Sequence, residues 1–88
     1  MYRIVVAKTA LKDFPNLTAA GLDKKAKALI ALLEADPFRS PPSYEKLIGD
    51  LEGLYSRRIN LKHRLVYQVL EDSKTVKILS AWSHYEKV

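Results

Sequence analysis

Cysteine is absent from this chain. No disulfide can staple the fold, no thiolate can hold zinc, and no thiol nucleophile is available. Nothing therefore calls for an oxidising compartment. Long hydrophobic runs are absent too. No stretch approaches the roughly 20 apolar residues needed to span a bilayer. The opening Met1-Tyr2-Arg3-Ile4-Val5-Val6 is too short for the apolar region of a signal peptide. The expectation is a soluble, cytoplasmic protein with no membrane partner. Internal repeats and low-complexity segments are also missing. The 88 residues leave no room for two domains, so residues 1–88 read as one. A domain of this size buries roughly 60–65% of the surface its unfolded chain exposes, so its core is thin.

Acidic residues are scarce where basic ones gather. The chain carries 15 Lys and Arg against 10 Asp and Glu, a net charge of +5. That balance favours an anionic partner, though only weakly by itself. The distribution says more. Between Gly53 and Gln68 stand Arg57, Arg58, Lys62, His63 and Arg64, and no acid.

The pattern along the chain predicts an α+β domain. Tyr2 to Ala7 is rich in β-branched residues and reads as a strand, central and buried on both faces. Lys8 to Ala20 keeps helical spacing but holds Pro15, which predicts a helix broken or kinked there. Gly21 suits the residue just past its end. Leu22 to Ala35 is the clearest helix, with Leu22, Ala26, Leu29, Ile30 and Leu33 along one face. Lys24, Lys25 and Lys27 then read as its solvated side. Asp36-Pro37 stops the helix. Pro37, Pro41 and Pro42 make the following connector extended and stiff. Tyr44 to Leu51 reads as a helical turn or a short strand. Three strands follow, Leu54–Asn60, Arg64–Glu71 and Thr75–Ser83. Their tight connections imply an antiparallel meander. The order β-α-α-β-β-β places two helices on one face of a twisted, mainly antiparallel sheet.

The second half collects groups suited to phosphodiester chemistry: Glu45 after the connector, the arginines of two strands, and His84-Tyr85 near the tail. RNA supplies its own nucleophile, a 2′-hydroxyl. A general base removes its proton, a general acid protonates the departing 5′ oxygen, and cations hold the phosphate as charge builds. Arginine suits the last task because its fork donates two parallel hydrogen bonds and keeps its charge. An exposed aromatic ring can stack on an unpaired base. Arg57 and Arg58 fall on opposite faces of one strand and cannot share a job. Arg58 is favoured for substrate, Arg57 for a second contact or structure. His63 reads as a turn residue, and Tyr67 and Trp82 as packing aromatics.

Tyr55-Ser56-Arg57-Arg58-Ile59, then His63-Arg64-Leu65-Val66-Tyr67, then His84-Tyr85, resemble the signature of the Txe/YoeB toxins of the RelE/ParE superfamily. Pro37-Phe38 and Glu45-Lys46-Leu47 are also similar. The resemblance is specific from about Pro37 to Tyr85. Two positions depart from the pattern: Ile48 stands where members often carry lysine, and Tyr55 replaces tryptophan. The resemblance implies a RelE-like fold and a metal-independent, cofactor-free endoribonuclease that cuts messenger RNA in the ribosomal A site. It implies Glu45 as general base, His84 as general acid, Arg64 at the scissile phosphate and Tyr85 as a stacking or orienting group. Arg58, with Arg57 and Lys62, would be the RNA or phosphate contacts. The implied partners are the ribosome with its message and a YefM/Axe-like antitoxin with an acidic, disordered tail. Operator DNA would be bound only through the antitoxin, and homodimerisation is left open. Two other readings stand beside this one: a ParE-like toxin that binds DNA gyrase, and a basic corepressor partner of an antitoxin.

Overall fold

The structure is a computed structural model. It describes residues 1–47 and 53–84, the last two through their backbone alone. Strand β1 (Arg3–Val6) leads into helices α1 (Lys8–Leu11), α2 (Phe14–Ala19) and α3 (Asp23–Ala35). Strands β2 (Tyr44–Lys46), β3 (Leu54–Arg58), β4 (His63–Leu70) and β5 (Thr75–His84) follow. The five strands form one sheet in the order β1-β5-β4-β3-β2. Among the described residues only the β1–β5 pair is parallel; β2 to β5 run antiparallel.

Alternation along the strands divides the sheet into two chemical faces. One carries Ile59, Leu65, Tyr67, Val76 and Ile78, which pack against Ala10, Leu17, Ala26, Leu29 and Leu33 from the helices. Ala26, Leu29 and Leu33 are the buried stripe of α3. The opposite face carries Glu45, Ser56, Arg58 and Arg64 and faces away from the helices. The α+β class and the helices on one face agree with the sequence reading.

Three expectations are corrected. β1 is an edge strand, pairing with β5 alone, and its side chains alternate between exposed and half-buried. A short β-branched run suits one-sided burial as well as two-sided, so composition did not separate them. The chain from Lys8 to Ala20 is two helices, with the break at Lys12-Asp13. Pro15 sits in the first turn of α2, where a missing N–H leaves no bond unmade. β4 begins at His63 rather than after it, while Tyr44–Lys46 takes the short-strand alternative of its two readings. Gly21 takes φ +73°, the left-handed conformation expected of the residue closing the helix. Residues 48–51 of the predicted turn or strand lie outside the described residues.

Candidate active site

Opposed residues in an antiparallel ladder share a face. The register pairs Glu45 with Ser56 and Arg58 with Arg64. Ser56 and Arg58 are two apart on β3, so all four project from the open side of the sheet. A concavity of ≈ 320 Å³ lies there, lined by Pro42, Ser43, Tyr44, Glu45, Ser56, Arg58 and Arg64.

Arg64 is its electrostatic centre. The side chain is only 4% exposed. Its Nη1 donates to the Ser56 hydroxyl at 2.6 Å, and its Nη2 donates to Glu45 Oε1 at 2.5 Å. The Glu45 side chain, by contrast, is 58% exposed. One end of the carboxylate pair is therefore fixed by buried contacts while the other meets solvent. A buried guanidinium held by a neutral hydroxyl and an accessible carboxylate can orient an incoming anion and a proton acceptor side by side.

The connector that brings Glu45 to the sheet is held from the other side. Arg57 is fully buried against the helical face. Its guanidinium donates to the carbonyls of Pro37 (3.0 Å), Arg39 (2.7 Å) and Pro42 (2.5 Å), and to the Tyr67 hydroxyl (3.2 Å). Tyr67 Oη in turn donates to the Pro37 carbonyl at 3.1 Å. Burial pushes the Tyr67 phenol above the ordinary tyrosine range, with Arg57 pulling the other way. Phe38, Tyr44, Tyr55 and Tyr67 form a chain of ring contacts with centroids 5.3–6.0 Å apart.

The candidates therefore separate. Glu45, Arg58 and Arg64 come together at the concavity. Arg57 does not. The RNA contact expected of it is corrected in favour of the structural alternative, because no part of it is accessible and its guanidinium donates to three backbone carbonyls and the Tyr67 hydroxyl. Lys62 is exposed in the β3–β4 turn and does not line the concavity. His63 is a buried strand residue stacked on Trp82, ring centroids 3.7 Å apart and 14° from parallel. Tyr67 is core, as expected. The backbone of His84 pairs with His63, one step beyond the Arg64–Ser83 pair. Tyr85 and Ile48 lie outside the described residues. Ser56 was missed by the sequence reading. Its signal was the two-residue spacing to Arg58, which puts a small donor–acceptor on the same face.

A family model described as YoeB-like toxin of bacterial type II toxin–antitoxin system matches residues 7–85. The chain belongs to this family. The match takes in every candidate from Glu45 to Tyr85. Among relatives of this YoeB-like toxin, Toxin YoeB of Streptomyces coelicolor is 44% identical over 62 residues, 70% of this chain and 71% of that protein. The YoeB/ParE toxin from Agrobacterium tumefaciens has a similar structure, with a TM-score of 0.83 at 28% identity, covering 94% of this chain and 99% of that one. A YoeB chain from Staphylococcus aureus, solved in a heterotetrameric YoeB-YefM toxin–antitoxin complex, gives 0.78 at 32% identity over 97% and 99%. The YoeB-like toxin thus has the α+β fold of its relatives. Among its described residues no helix is long and apolar enough to cross a membrane, and no group of three or more His, Asp or Glu could hold a metal ion.

Proposed function

We propose that this toxin is an endoribonuclease that cuts messenger RNA on the ribosome by metal-independent acid–base attack of the 2′-hydroxyl. One observation carries the reading: the Glu45 carboxylate sits on the buried Arg64 guanidinium, beside Arg58, in a single concavity on the open face of the sheet. Glu45 takes the 2′-hydroxyl proton. Arg64 holds the scissile phosphate, and Arg58 adds a second cation at the rim. His84, carried over from the family resemblance, protonates the leaving 5′ oxygen, and Tyr85 orients the substrate. The products are a cyclic phosphate and a free 5′-hydroxyl. A positioned acid or base supplies on the order of 10²–10⁴ in rate, so the pair accounts for a substantial acceleration. Residues 1–88 act as one toxin domain in the cytoplasm, where the ribosome is. An antitoxin of the YefM kind silences it, a reading supported by the Staphylococcus aureus complex.

The test is cleavage of a message bound to purified ribosomes, with growth arrest followed in parallel. The expected result is a cut in the A site, abolished together with toxicity in Arg64→Ala and His84→Ala. Full toxicity with intact messages would overturn the proposal. Gyrase inhibition that survives His84→Ala would instead support a ParE-like mode.

A further inference from the structure

Glu45 stands on a strand with little to hold it. β2 has three residues, lies at the sheet edge, and pairs only with β3. The Glu45 side chain is more than half exposed. Short edge strands fray readily, because few ladder bonds resist opening. Yet a proton acceptor must be held within a fraction of an ångström of its working position, and a misplacement of about 1 Å can cost ~10²-fold in rate.

The restraint lies on the far side of β3. Arg57 pairs through its backbone with Tyr44, the residue before Glu45. Its side chain passes to the helical face and gathers the carbonyls of Pro37, Arg39 and Pro42. These three span the connector from the end of α3 to two residues before β2. The Arg57 guanidinium also lies 5.0 Å from the Tyr44 ring centroid. All four hydrogen-bond acceptors are neutral, so the buried charge has no carboxylate among them to offset its desolvation. Its main effect is then geometric: one planar fork fixes the path of the connector and the place where β2 meets the sheet.

We infer that Arg57 is a positioning residue of the proposed cleavage reaction, acting through Glu45 by clamping the proline connector that delivers it. The inference rests on the functional reading above. Lysine keeps the charge but cannot bridge three carbonyls with a planar fork. Arg57→Lys is expected to lower kcat on ribosome-bound message by about 10- to 100-fold while KM changes less than about threefold. In a Glu45→Gln background the same substitution is expected to change the residual rate by less than about twofold, because the clamp then has no base to place. Trypsin cutting after Arg39, located by mass spectrometry, is expected to quicken in Arg57→Lys. Thermal melting checks that the variant is folded. Should Arg57→Lys not fold, Tyr67→Phe, which keeps the ring and removes the hydroxyl's bonds to Arg57 and to the Pro37 carbonyl, is expected to give a smaller loss of kcat that also vanishes with Glu45→Gln. An active wild type with unchanged kcat in both clamp variants would overturn this assignment alone. So would an equal loss with and without Glu45. A wild type inert on programmed ribosomes would overturn the functional reading and this assignment with it.

Discussion

Replacing Glu45 with glutamine removes one charge and almost no volume. The structure separates what this does to stability from what it does to rate. Two unit charges about 4 Å apart attract by roughly 1 kcal/mol in water and about 4 kcal/mol at an effective dielectric of 20. The carboxylate is 58% exposed, so the lower end applies. The amide oxygen can still accept from Arg64, which trims the loss further. A destabilisation of about 1 kcal/mol follows, or about 4–8 °C in Tm for a chain of this size. Domains of this size typically have about 5 kcal/mol or more of stability, so the folded fraction barely changes. Loss of a general base, by contrast, costs about 10²–10⁴ in rate. A hundredfold fall in cleavage with a melting shift of a few degrees is therefore chemistry, not unfolding. The assay is single-turnover cleavage on programmed ribosomes beside a thermal melt. A rate within threefold of wild type would refute the assignment of Glu45. Binding supplies a second check. In the resting site Glu45 occupies Arg64, so a phosphate must compete with it. Glu45→Gln should therefore bind a message carrying a 2′-deoxy nucleotide at the cut site more tightly than wild type does, and weaker binding would contradict the competition.

Three other perturbations have definite signs. Ser56→Ala removes a fully buried hydroxyl from the Arg64 guanidinium, which should cost about 1.5–3 kcal/mol in denaturant titration and slow cleavage as well. Asp13→Ala leaves the Ala81 N–H without the carboxylate that accepts from it at 2.9 Å, and a loss of about 1–3 kcal/mol is expected by the same measurement. The Tyr67 phenol titrates above its unfolded value because burial disfavours its charged form. Its folded state keeps a proton that the unfolded chain loses near pH ~10, so its contribution is whole below that pH and is lost as pH rises through the folded value. Comparing denaturation midpoints between pH ~9 and ~11.5, Tyr67→Phe should lose less stability than wild type; equal losses would contradict the burial argument.

The meander from β3 to β5 was legible because its strands are long, alternating and joined by short turns. The edge position of β1 was not. It depends on a parallel pairing with β5 some seventy residues away, and no local pattern reports that. Pro15 marked a real interruption, but the break falls two to three residues earlier, because proline is well placed in a first helical turn. His63 looked like a turn residue because it follows Asn60-Leu61-Lys62. In the fold, Asn60 Oδ1 accepts from the N–H groups of both Lys62 and His63, which tightens the turn enough for His63 to open the strand. At the site, alternation separated Arg57 from Arg58, while the task of Arg57 stayed hidden. Its partners are backbone carbonyls 15 to 20 residues upstream, and carbonyls leave no mark in a sequence.

The same distinction changes what the net charge means. The acid-free stretch from Gly53 to Gln68 looks like a basic surface offered whole to an anion. In the fold Arg57 is spent on the connector, and Arg64 is nearly buried and neutralised by Glu45. Arg58 and Lys62 are left exposed to the surroundings. On the proposed reading the field that would draw RNA in is therefore weaker than the composition implies, and a phosphate must compete with Glu45 for Arg64. A site built this way gains little from long-range attraction, since exposed charges are screened within about 8–10 Å at ordinary salt. On the proposed reading it gains most where something else brings the message to within contact distance, as a ribosome holding its own messenger would.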